Sequence, residues 1–246
     1  MTVLFFVYGL FIGSFLNVCI YRIPEGKSVI YPPSSCGSCG HRLSFIDMIP
    51  VFNYIIYRGR CRYCNSHYSV QYPVVEMLNG VLYFCTAYKY GFTIYAVAMC
   101  ILISLLIVAG AIDIKYMIIP DSINILIFLL GLLLIIYDRT SLKDKILGLG
   151  IGLLLFVLIA ITTKAMGVGD IKLMAALGFV FGLKGVLFVS VFSFIIGAIG
   201  SVVLLVKRIK SRKDKIPFGP FISIATGLYI FWGNEIISSY LNLFGF

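Results

Sequence analysis

The sequence predicts an all-α polytopic membrane protein with about eight transmembrane helices and one small loop domain outside the membrane. Of its 246 residues, 61% are hydrophobic and only 12% are charged, and the mean hydropathy is +1.04. Soluble proteins contain roughly 45–50% apolar and about 25% charged residues, so the composition excludes the ordinary globular classes. The apolar residues also form runs that approach the ~20 residues a helix needs to cross the ~30 Å hydrocarbon core.

Eight apolar runs, separated by charged residues or proline, are the candidate spans. The first lacks an early basic region and a small-residue cleavage site, so we expect a retained helix and not a cleaved signal peptide. The sixth is short and contains Gly178 and Gly182, which predicts a tilted or partial span. The eight runs are 3–21, 73–90, 93–112, 121–137, 146–163, 171–183, 185–206 and 217–241.

One polar segment, 22–72, interrupts the apolar pattern. It contains both histidines, half of the eight prolines and four of the seven cysteines. The pattern therefore predicts three parts: a first transmembrane helix over 1–21, a cytoplasmic loop domain over 22–72, and a membrane domain over 73–246 with about seven further helices.

The net charge of +10 is interpreted as a topology signal, because basic residues concentrate in the cytoplasmic loops of membrane proteins. If 22–72 is cytoplasmic, fifteen of the twenty Lys and Arg fall on that side and five on the other. Both termini are then expected outside the cytoplasm. The basic run 207–215 is expected to face anionic lipid headgroups, so lipids and not nucleic acid are the expected partners of this charge. The five outer basic residues are Lys89, Arg139, Lys143, Lys145 and Lys184.

Two acidic residues, Asp113 and Asp170, are the candidates for catalysis. On this topology Asp113 ends the third span and Asp170 begins the sixth, so both are expected at the cytoplasmic membrane boundary. Each is followed by Ile-Lys, which places Lys115 and Lys172 two residues further along. Two carboxylates that meet at a partly desolvated site cannot both ionise easily, so the pair can act as general acid and general base on one water.

The residues around these aspartates leave a structural alternative open. Gly167 and Gly169 precede Asp170 in a Gly-x-Gly-Asp motif, where glycine permits close backbone approach. The motif alone is weak, and each aspartate could equally cap a helix or pair with a nearby lysine. Asp121, which follows Pro120 at the start of the fourth span, is expected to be a helix cap and not a catalytic group.

Two Cys-x-x-Cys pairs in the polar segment predict a structural zinc site. Twenty-one residues separate the pairs, which suits two zinc knuckles that share one tetrahedral four-thiolate site. A bound metal would also explain how some fifty residues hold one shape. The alternatives are two disulfides, which a cytoplasmic location disfavours, and a redox dithiol. His41 and His67 are expected to be bystanders. The four candidate ligands are Cys36, Cys39, Cys61 and Cys64.

Six segments together carry a family resemblance. In chain order they are GSFLNVCIYR at 13–22, PPSSCGSCGH at 32–41, RGRCRYC at 58–64, QYPVVE at 71–76, DIKYMIIPD at 113–121 and GVGDIK at 167–172. These segments, which span most of the chain, resemble the type IV prepilin peptidases, a family of membrane aspartyl proteases with a Gly-x-Gly-Asp motif.

The resemblance implies an activity, a substrate and a location. Asp113 and Asp170 would be the catalytic pair of an enzyme that removes a short basic leader from prepilins and pseudopilins at the cytoplasmic face of the bacterial inner membrane. The complete four-cysteine loop is similar to that of the bifunctional branch. That branch then methylates the new N-terminal residue from S-adenosylmethionine. No residues that would bind this cofactor can be identified in the sequence.

Two other classes of function remain open at this point. A proton-coupled carrier also places carboxylates in membrane helices, but it tends to hold them near the midplane and to show two similar halves. A non-enzymatic zinc-bearing assembly scaffold needs the cysteine loop but not the aspartate pair. Cleavage of a prepilin by the purified protein distinguishes the enzyme from both.

The charge partition predicts the orientation of the C-terminal end. A reporter fused after Lys210 should report the cytoplasm, and one fused at Phe246 should report the opposite side, because one span separates them. Reporter activity on the same side for both fusions would remove one of the last predicted spans.

Overall fold

A computed structural model describes residues 1–138, 141–163, 166–209, 211 and 214–243. Within these ranges the chain is helical, with isolated β-bridges but no β-strand. The chain divides into two compact units, Met1–Val108 and Ala109–Phe246. Some positions used above to predict topology lie outside the described ranges, namely Arg139, Lys164, Lys210, Arg212, Lys213 and Phe246.

The helices follow the apolar runs of the sequence. Long apolar stretches without internal proline favour helix, since every backbone hydrogen bond is then satisfied within the segment. A short 3-10 turn, Ile46–Met48, lies in the polar segment. The α-helices are α1 (Thr2–Arg22), α2 (Phe52–Ile56), α3 (Gln71–Tyr90), α4 (Ile94–Tyr116), α5 (Asp121–Asp138), α6 (Leu142–Thr163), α7 (Val168–Val206) and α8 (Gly219–Leu243).

Four of these helices, α1, α4, α6 and α7, are long and apolar enough to cross a membrane. A fifth, α5, is apolar but shorter, over Asp121–Tyr137. The prediction of an all-helical membrane protein is confirmed to this extent. Each of the eight predicted runs coincides with helix, the sixth and seventh both within α7. That all eight cross the membrane, and that the chain divides at 21–22 and 72–73, stay predictions.

In the first unit, α1 packs against α3 through small residues. A Cβ atom added to Gly9 would lie 2.8 Å from the Cα of Gly80, so the two backbones approach closely there. Asn79, fully buried in α3, donates from Nδ2 to the Gly9 carbonyl at 2.7 Å. Small residues and buried amides are what hold helices together where lipid provides no hydrophobic driving force between them.

In the second unit, α7 is interrupted at Gly182, which has φ +71° and breaks the helix into two segments. The interruption frees backbone groups that need partners inside a membrane protein. Lys145, buried in α6, donates from Nζ to the Val180 carbonyl at 3.0 Å. The Leu183 N–H donates to Asp144 Oδ1 at 3.3 Å. Two side chains of α6 therefore satisfy the interrupted backbone of α7. The sequence analysis placed Lys145 in an outer loop and did not predict that it would be buried in a helix.

Candidate functional site

Asp113 lies in the last turn of α4 and is buried, with 5% of its surface exposed. The helix ends just beyond it, where Met117 adopts φ +55° and its N–H donates to the Asp113 carbonyl at 2.9 Å. Such a left-handed residue is a common helix C-terminal device. The chain then turns through Pro120 into α5, so the carboxyl group projects at a helix end and not in the middle of a span.

The Asp113 carboxyl is held by the start of α8. The backbone N–H of Gly219 donates to Asp113 Oδ2 at 2.8 Å in a buried hydrogen bond. A Cβ atom at Gly219 would lie 2.8 Å from that oxygen and 3.2 Å from the carboxyl carbon. Glycine at 219 is therefore required for the approach, and the free N–H groups of a helix N-terminus favour a negative charge there.

Asp170 is held in a similar way by its own helix start. It is the third residue of α7 and is also buried, and the Gly167 N–H donates to its Oδ2 at 3.2 Å. Its second oxygen, Oδ1, is buried and has no hydrogen-bond partner among the residues that the structure describes. Such an oxygen is costly unless it serves a reaction or a ligand.

The two glycines before Asp170 have different surroundings. A Cβ atom at Gly169 would lie 3.0 Å from the Cβ of Ile119, so this glycine permits close packing against the turn between α4 and α5. Gly167 has an ordinary extended backbone, with φ −79° and ψ 151°, and its nearest neighbour is the Asp170 carboxyl itself. The steric requirement of the motif thus lies at Gly169.

The structure brings the two predicted catalytic carboxyls into one site. Asp113 is one of the charges that act on the Asp170 carboxyl. Both groups are buried, both accept one backbone N–H from a glycine at a helix start, and both belong to the second unit. Two carboxyls in this arrangement can share a proton and act on one water.

The two predicted supporting lysines point to other partners. Lys172 Nζ pairs with the Asp121 carboxylate at 2.8 and 2.9 Å, and both side chains are largely exposed. Lys115 lies 5.1 Å from the ring centre of Tyr116. Asp121 is the first residue of α5, as expected for a residue at a helix start. An exposed pair of this kind contributes about 0–1 kcal/mol, so its role is local.

The two cysteine pairs form two copies of one backbone motif. In the first, the Cys36 N–H donates to the His41 carbonyl and the Gly40 N–H donates to the Cys36 carbonyl, both at 2.9 Å. In the second, Cys61 and Asn65 repeat these bonds at 2.8 and 2.9 Å. Gly40 and Asn65 both adopt positive φ, at +69° and +58°. Each knuckle is closed by a small antiparallel bridge.

The four thiols converge on one point. Their Sγ atoms all lie within 4.8 Å of one another, and Cys36 Sγ is 3.8 Å from Cys64 Sγ. A tetrahedral zinc with Zn–S bonds of about 2.3 Å requires sulfur atoms about 3.8 Å apart. All four thiols are free, and the ring of His41 packs against that of Tyr63 in a tilted arrangement, with 3.7 Å between the ring centres. The donor set and its spacing therefore fit a four-thiolate zinc site.

The environment of the thiols also suits a cation. Backbone N–H groups of Cys39 and Ser38 lower the pKa of Cys36 to about 6. The His41 N–H lowers the pKa of Cys39, but desolvation and the neighbouring thiols Cys36 and Cys64 outweigh it and raise that pKa to about 11. The first thiol therefore ionises readily, and its negative charge disfavours ionisation of the next one. A bound cation would offset this repulsion and favour the ionised form of all four thiols.

The sequence analysis missed a partner of Asp113 and a bond that holds the polar segment. Gly219 was not singled out, although the pattern Pro-Phe-Gly-Pro before the last apolar run marks a turn into a helix. Glu76, buried in α3, accepts the Val51 N–H at 2.7 Å and so ties the polar segment to a helix. Both bonds join residues far apart in the chain, and no local pattern reveals such pairs.

Comparisons with known proteins agree with this architecture. A family model described as the bacterial peptidase A24 N-terminal domain matches residues 7–90, and one described as the type IV leader peptidase family matches residues 100–202. The second match contains both Asp113 and Asp170. No solved structure matches the chain.

Several curated relatives are similar over nearly the whole chain. A protein of Bacillus subtilis (strain 168) named prepilin leader peptidase/N-methyltransferase is 35% identical over 99% of this chain and 99% of its own. Proteins of the same name from Pseudomonas putida and Xanthomonas campestris pv. campestris are 33% and 31% identical, over 98% and 96% of this chain and 93% of each relative.

The apolar helices and the buried aspartate pair define a class, that of membrane proteins with an acidic site at the ends of their helices. Within it, the chain belongs to the type IV leader peptidase family, and it is an enzyme of the peptidase class. The carrier and scaffold alternatives find no support among relatives that carry enzyme names.

The thiol geometry predicts about one zinc per chain, bound by sulfur at about 2.3 Å. Replacing any of Cys36, Cys39, Cys61 or Cys64 by serine should lower the metal content and destabilise the loop, because the site would lose a thiolate and the folding energy that goes with it. Metal analysis and X-ray absorption of the purified protein measure both quantities.

The matched control for the zinc prediction is Cys85→Ser, a half-buried thiol of α3 outside the cluster. It should keep the full metal content. Purified wild-type protein without metal, with all four loop thiols open to titration, would contradict the zinc assignment.

Proposed function

We propose that the protein removes the short basic leader from type IV prepilins or pseudopilins, with Asp113 and Asp170 as its catalytic pair. The names of the relatives support the substrate class. The observation that carries the proposal is the buried carboxyl pair, in which each member is fixed by a glycine N–H and one oxygen of Asp170 has no partner among the described residues.

The two carboxyls differ in a way that assigns their starting roles. Asp113 accepts the shorter bond, 2.8 Å, from the N-terminus of α8, where the helix dipole favours an anion. Asp170 has the longer bond and the unpartnered Oδ1. Asp113 therefore starts as the ionised base, and Asp170 starts with the proton that polarises the scissile carbonyl.

The reaction then follows from proton positions. Asp113 takes a proton from the attacking water as its oxygen bonds to the scissile carbon, and Asp170 donates a hydrogen bond and then its proton to the developing oxyanion. Collapse of the tetrahedral intermediate breaks the C–N bond, and the leaving amine receives the proton that Asp113 took. The hydroxyl formed from the former carbonyl oxygen returns its proton to Asp170, so the acid product leaves and the pair regains its starting protonation state. The pair can exchange roles in the course of the cycle, because the proton is shared between neighbouring groups.

The location follows from the helices and the charge pattern. The chain is proposed to reside in the bacterial inner membrane with its active site at the cytoplasmic face and both termini on the other side. The apolar helix of a prepilin would lie in the bilayer and present its cleavage site at the level where Asp113 ends α4 and Asp170 begins α7. The basic cytoplasmic residues serve orientation and lipid contact.

A second activity, N-methylation of the freed N-terminal residue, is proposed from the names of the relatives. S-adenosylmethionine would supply the methyl group. The four-cysteine loop would hold zinc in a structural role, since its four thiolates fill a tetrahedral ligand set and leave no open position for substrate.

Single Asp113→Asn and Asp170→Asn changes should each lower the cleavage rate by about 10²–10⁴-fold, because the amide keeps the shape but cannot ionise or give up a proton. The double change should be scarcely worse, since the two residues act as a unit. The rate of the wild-type enzyme should pass through a maximum with pH, and both limbs belong to the pair. Leader release from a prepilin in liposomes measures all three.

The control for the carboxyl pair is Asp121→Asn, which breaks only the exposed pair with Lys172. It should affect stability more than cleavage. Near wild-type cleavage by either Asp113→Asn or Asp170→Asn, in protein shown to be inserted, would leave that residue as a helix cap and disprove the catalytic pair.

Gly219→Ala should lower kcat by about 10–100-fold with little change in KM, because the added methyl group displaces the Asp113 carboxyl and misplacements near 1 Å have effects of this size. The matched control on the same helix is Gly227→Ala, where an added Cβ meets no atom within 4 Å. That change should leave kcat unaltered and stabilise α8 by up to about 1 kcal/mol. Equal kcat values for the two variants would mean that the Gly219 bond has no part in positioning Asp113.

A further inference from the structure

The segment between the two knuckles, 45–56, exposes an apolar surface that the peptidase activity does not explain. Its sequence, FIDMIPVFNYII, contains one charged residue. The exposed fraction reaches 82% at Phe45 and 68% at both Phe52 and Ile55. Exposed apolar surfaces of this kind mark contacts with a protein or a membrane. The exposed apolar residues are Phe45, Ile46, Met48, Ile49, Phe52, Ile55 and Ile56.

The polar groups of this segment are turned away from that surface. Asp47 Oδ2 accepts hydrogen bonds from the Ser44 N–H at 3.0 Å, the Ser44 hydroxyl at 2.6 Å and the Tyr63 hydroxyl at 3.2 Å. The Ser44 bonds hold the pKa of Asp47 below its usual value. Asn53 donates to the Asp47 carbonyl. The one charge of the segment is therefore bound to the loop itself.

The short helix α2 also has one exposed apolar face and one face that packs on the loop. Phe52, Ile55 and Ile56 are exposed and, at i, i+3 and i+4, lie on one face. Tyr54 is half-buried and packs its ring edge-on against Tyr68 at 5.3 Å. The segment thus has an inner face that packs on the loop and an outer face of large apolar side chains.

A part-buried hydrogen bond ties the segment to α3. The Val51 N–H donates to Glu76 Oε2 at 2.7 Å, and Glu76 lies in the second turn of α3. The same residue packs against Gly13 of α1, one of the helices long and apolar enough to cross a membrane. Val51 is therefore tied, through Glu76, to a helix that is long and apolar enough to cross a membrane.

Exposed arginines flank the apolar segment on both sides in the sequence. Arg42 precedes the segment, and Arg58, Arg60 and Arg62 follow it, all four with exposed side chains. An apolar face bordered by arginines is the composition of interfacial membrane anchors, which bury the apolar side chains at the acyl boundary and pair the cations with anionic headgroups.

We propose that segment 45–56 is an interfacial anchor that inserts Phe52, Ile55 and Ile56 into the bilayer surface, with the flanking arginines on anionic lipid headgroups. Its occupant is lipid, because the bond to Glu76 ties the segment to a helix packed on membrane-capable α1, and because the charges that flank the segment are positive. The segment between the knuckles is then a membrane element, and it fixes the height of both knuckles above the bilayer.

The test measures the depth of single tryptophans in the full-length protein. The chain has one tryptophan, Trp232, so a Trp232→Phe background carries either Phe52→Trp in the segment or Ser38→Trp at the exposed turn of the first knuckle. Each protein is reconstituted at a low protein-to-lipid ratio in phosphatidylcholine and phosphatidylglycerol vesicles. Lipid brominated on its acyl chains should quench the Phe52→Trp probe severalfold more than the Ser38→Trp probe, and aqueous iodide should show the reverse order.

Other outcomes overturn the proposal. Iodide quenching of Phe52→Trp equal to that of Ser38→Trp would place the segment in water. Protection of Phe52→Trp from both quenchers would mean that a protein surface, such as a second copy of the chain, covers it. Equal lipid quenching of both probes would mean that the whole loop lies on the membrane without a specific anchor.

The role of charge has its own readout in the same probe. Replacing phosphatidylglycerol by neutral lipid should weaken acyl-chain quenching of Phe52→Trp, and Arg58→Gln with Arg60→Gln should remove this dependence on lipid charge. The same pair of substitutions should leave the Ser38→Trp probe unchanged. Acyl-chain quenching that is the same in neutral and anionic lipid would contradict the pairing of arginines with headgroups.

Discussion

The structure depends on one recurring interaction, the binding of a helix-start N–H by a side-chain carboxylate. Glu76 accepts the N–H of Val51 at the start of α2, and Asp144 accepts that of Leu183 where α7 resumes after Gly182. Asp113 and Asp170 bind Gly219 and Gly167 at the starts of α8 and α7. The first N–H groups of a helix have no partner within it, and a membrane offers no water to supply one. Scarce carboxylates are therefore placed where helices begin.

The same interaction separates the structural carboxylates from the catalytic candidates. Glu76 and Asp144 each satisfy one helix start, and this accounts for their positions. The charge of Asp113 acts on Asp170, and Asp170 retains a buried oxygen without a partner in the described part of the chain. Each of the two satisfies its own helix start, but this role uses only one oxygen of Asp170. The remaining buried oxygen of Asp170 is the feature that supports the proposed catalytic pair.

Apolar run length was enough to predict the helices, because that property is local. The division of residues 171–206 into two runs matches the interruption at Gly182, and the Cys-x-x-Cys spacing predicted knuckles whose thiols converge. The hydrogen-bond partners of the carboxylates could not be predicted from local sequence patterns. Gly219 is 106 residues from Asp113, and only folding brings them together. The repeated Asp-Ile-Lys was likewise misleading about Lys172, whose partner is Asp121 and not the aspartate two residues before it.

The polar segment is tied to the helices by a continuous set of contacts that begins at the thiols. Tyr63, between the last two cysteines, donates to Asp47, and Asp47 in turn accepts the bonds that turn the segment before α2. The N–H of Val51, at the start of α2, donates to the carboxylate of Glu76 in α3. Metal bound at the knuckles would therefore order more than the knuckles, since these bonds link the second knuckle to the segment before α2 and α2 to α3. The loop is too short to form a hydrophobic core of its own. It would be held in one shape by two attachments, the bonds from its thiolates to the metal and the hydrogen bond from Val51 to the buried Glu76.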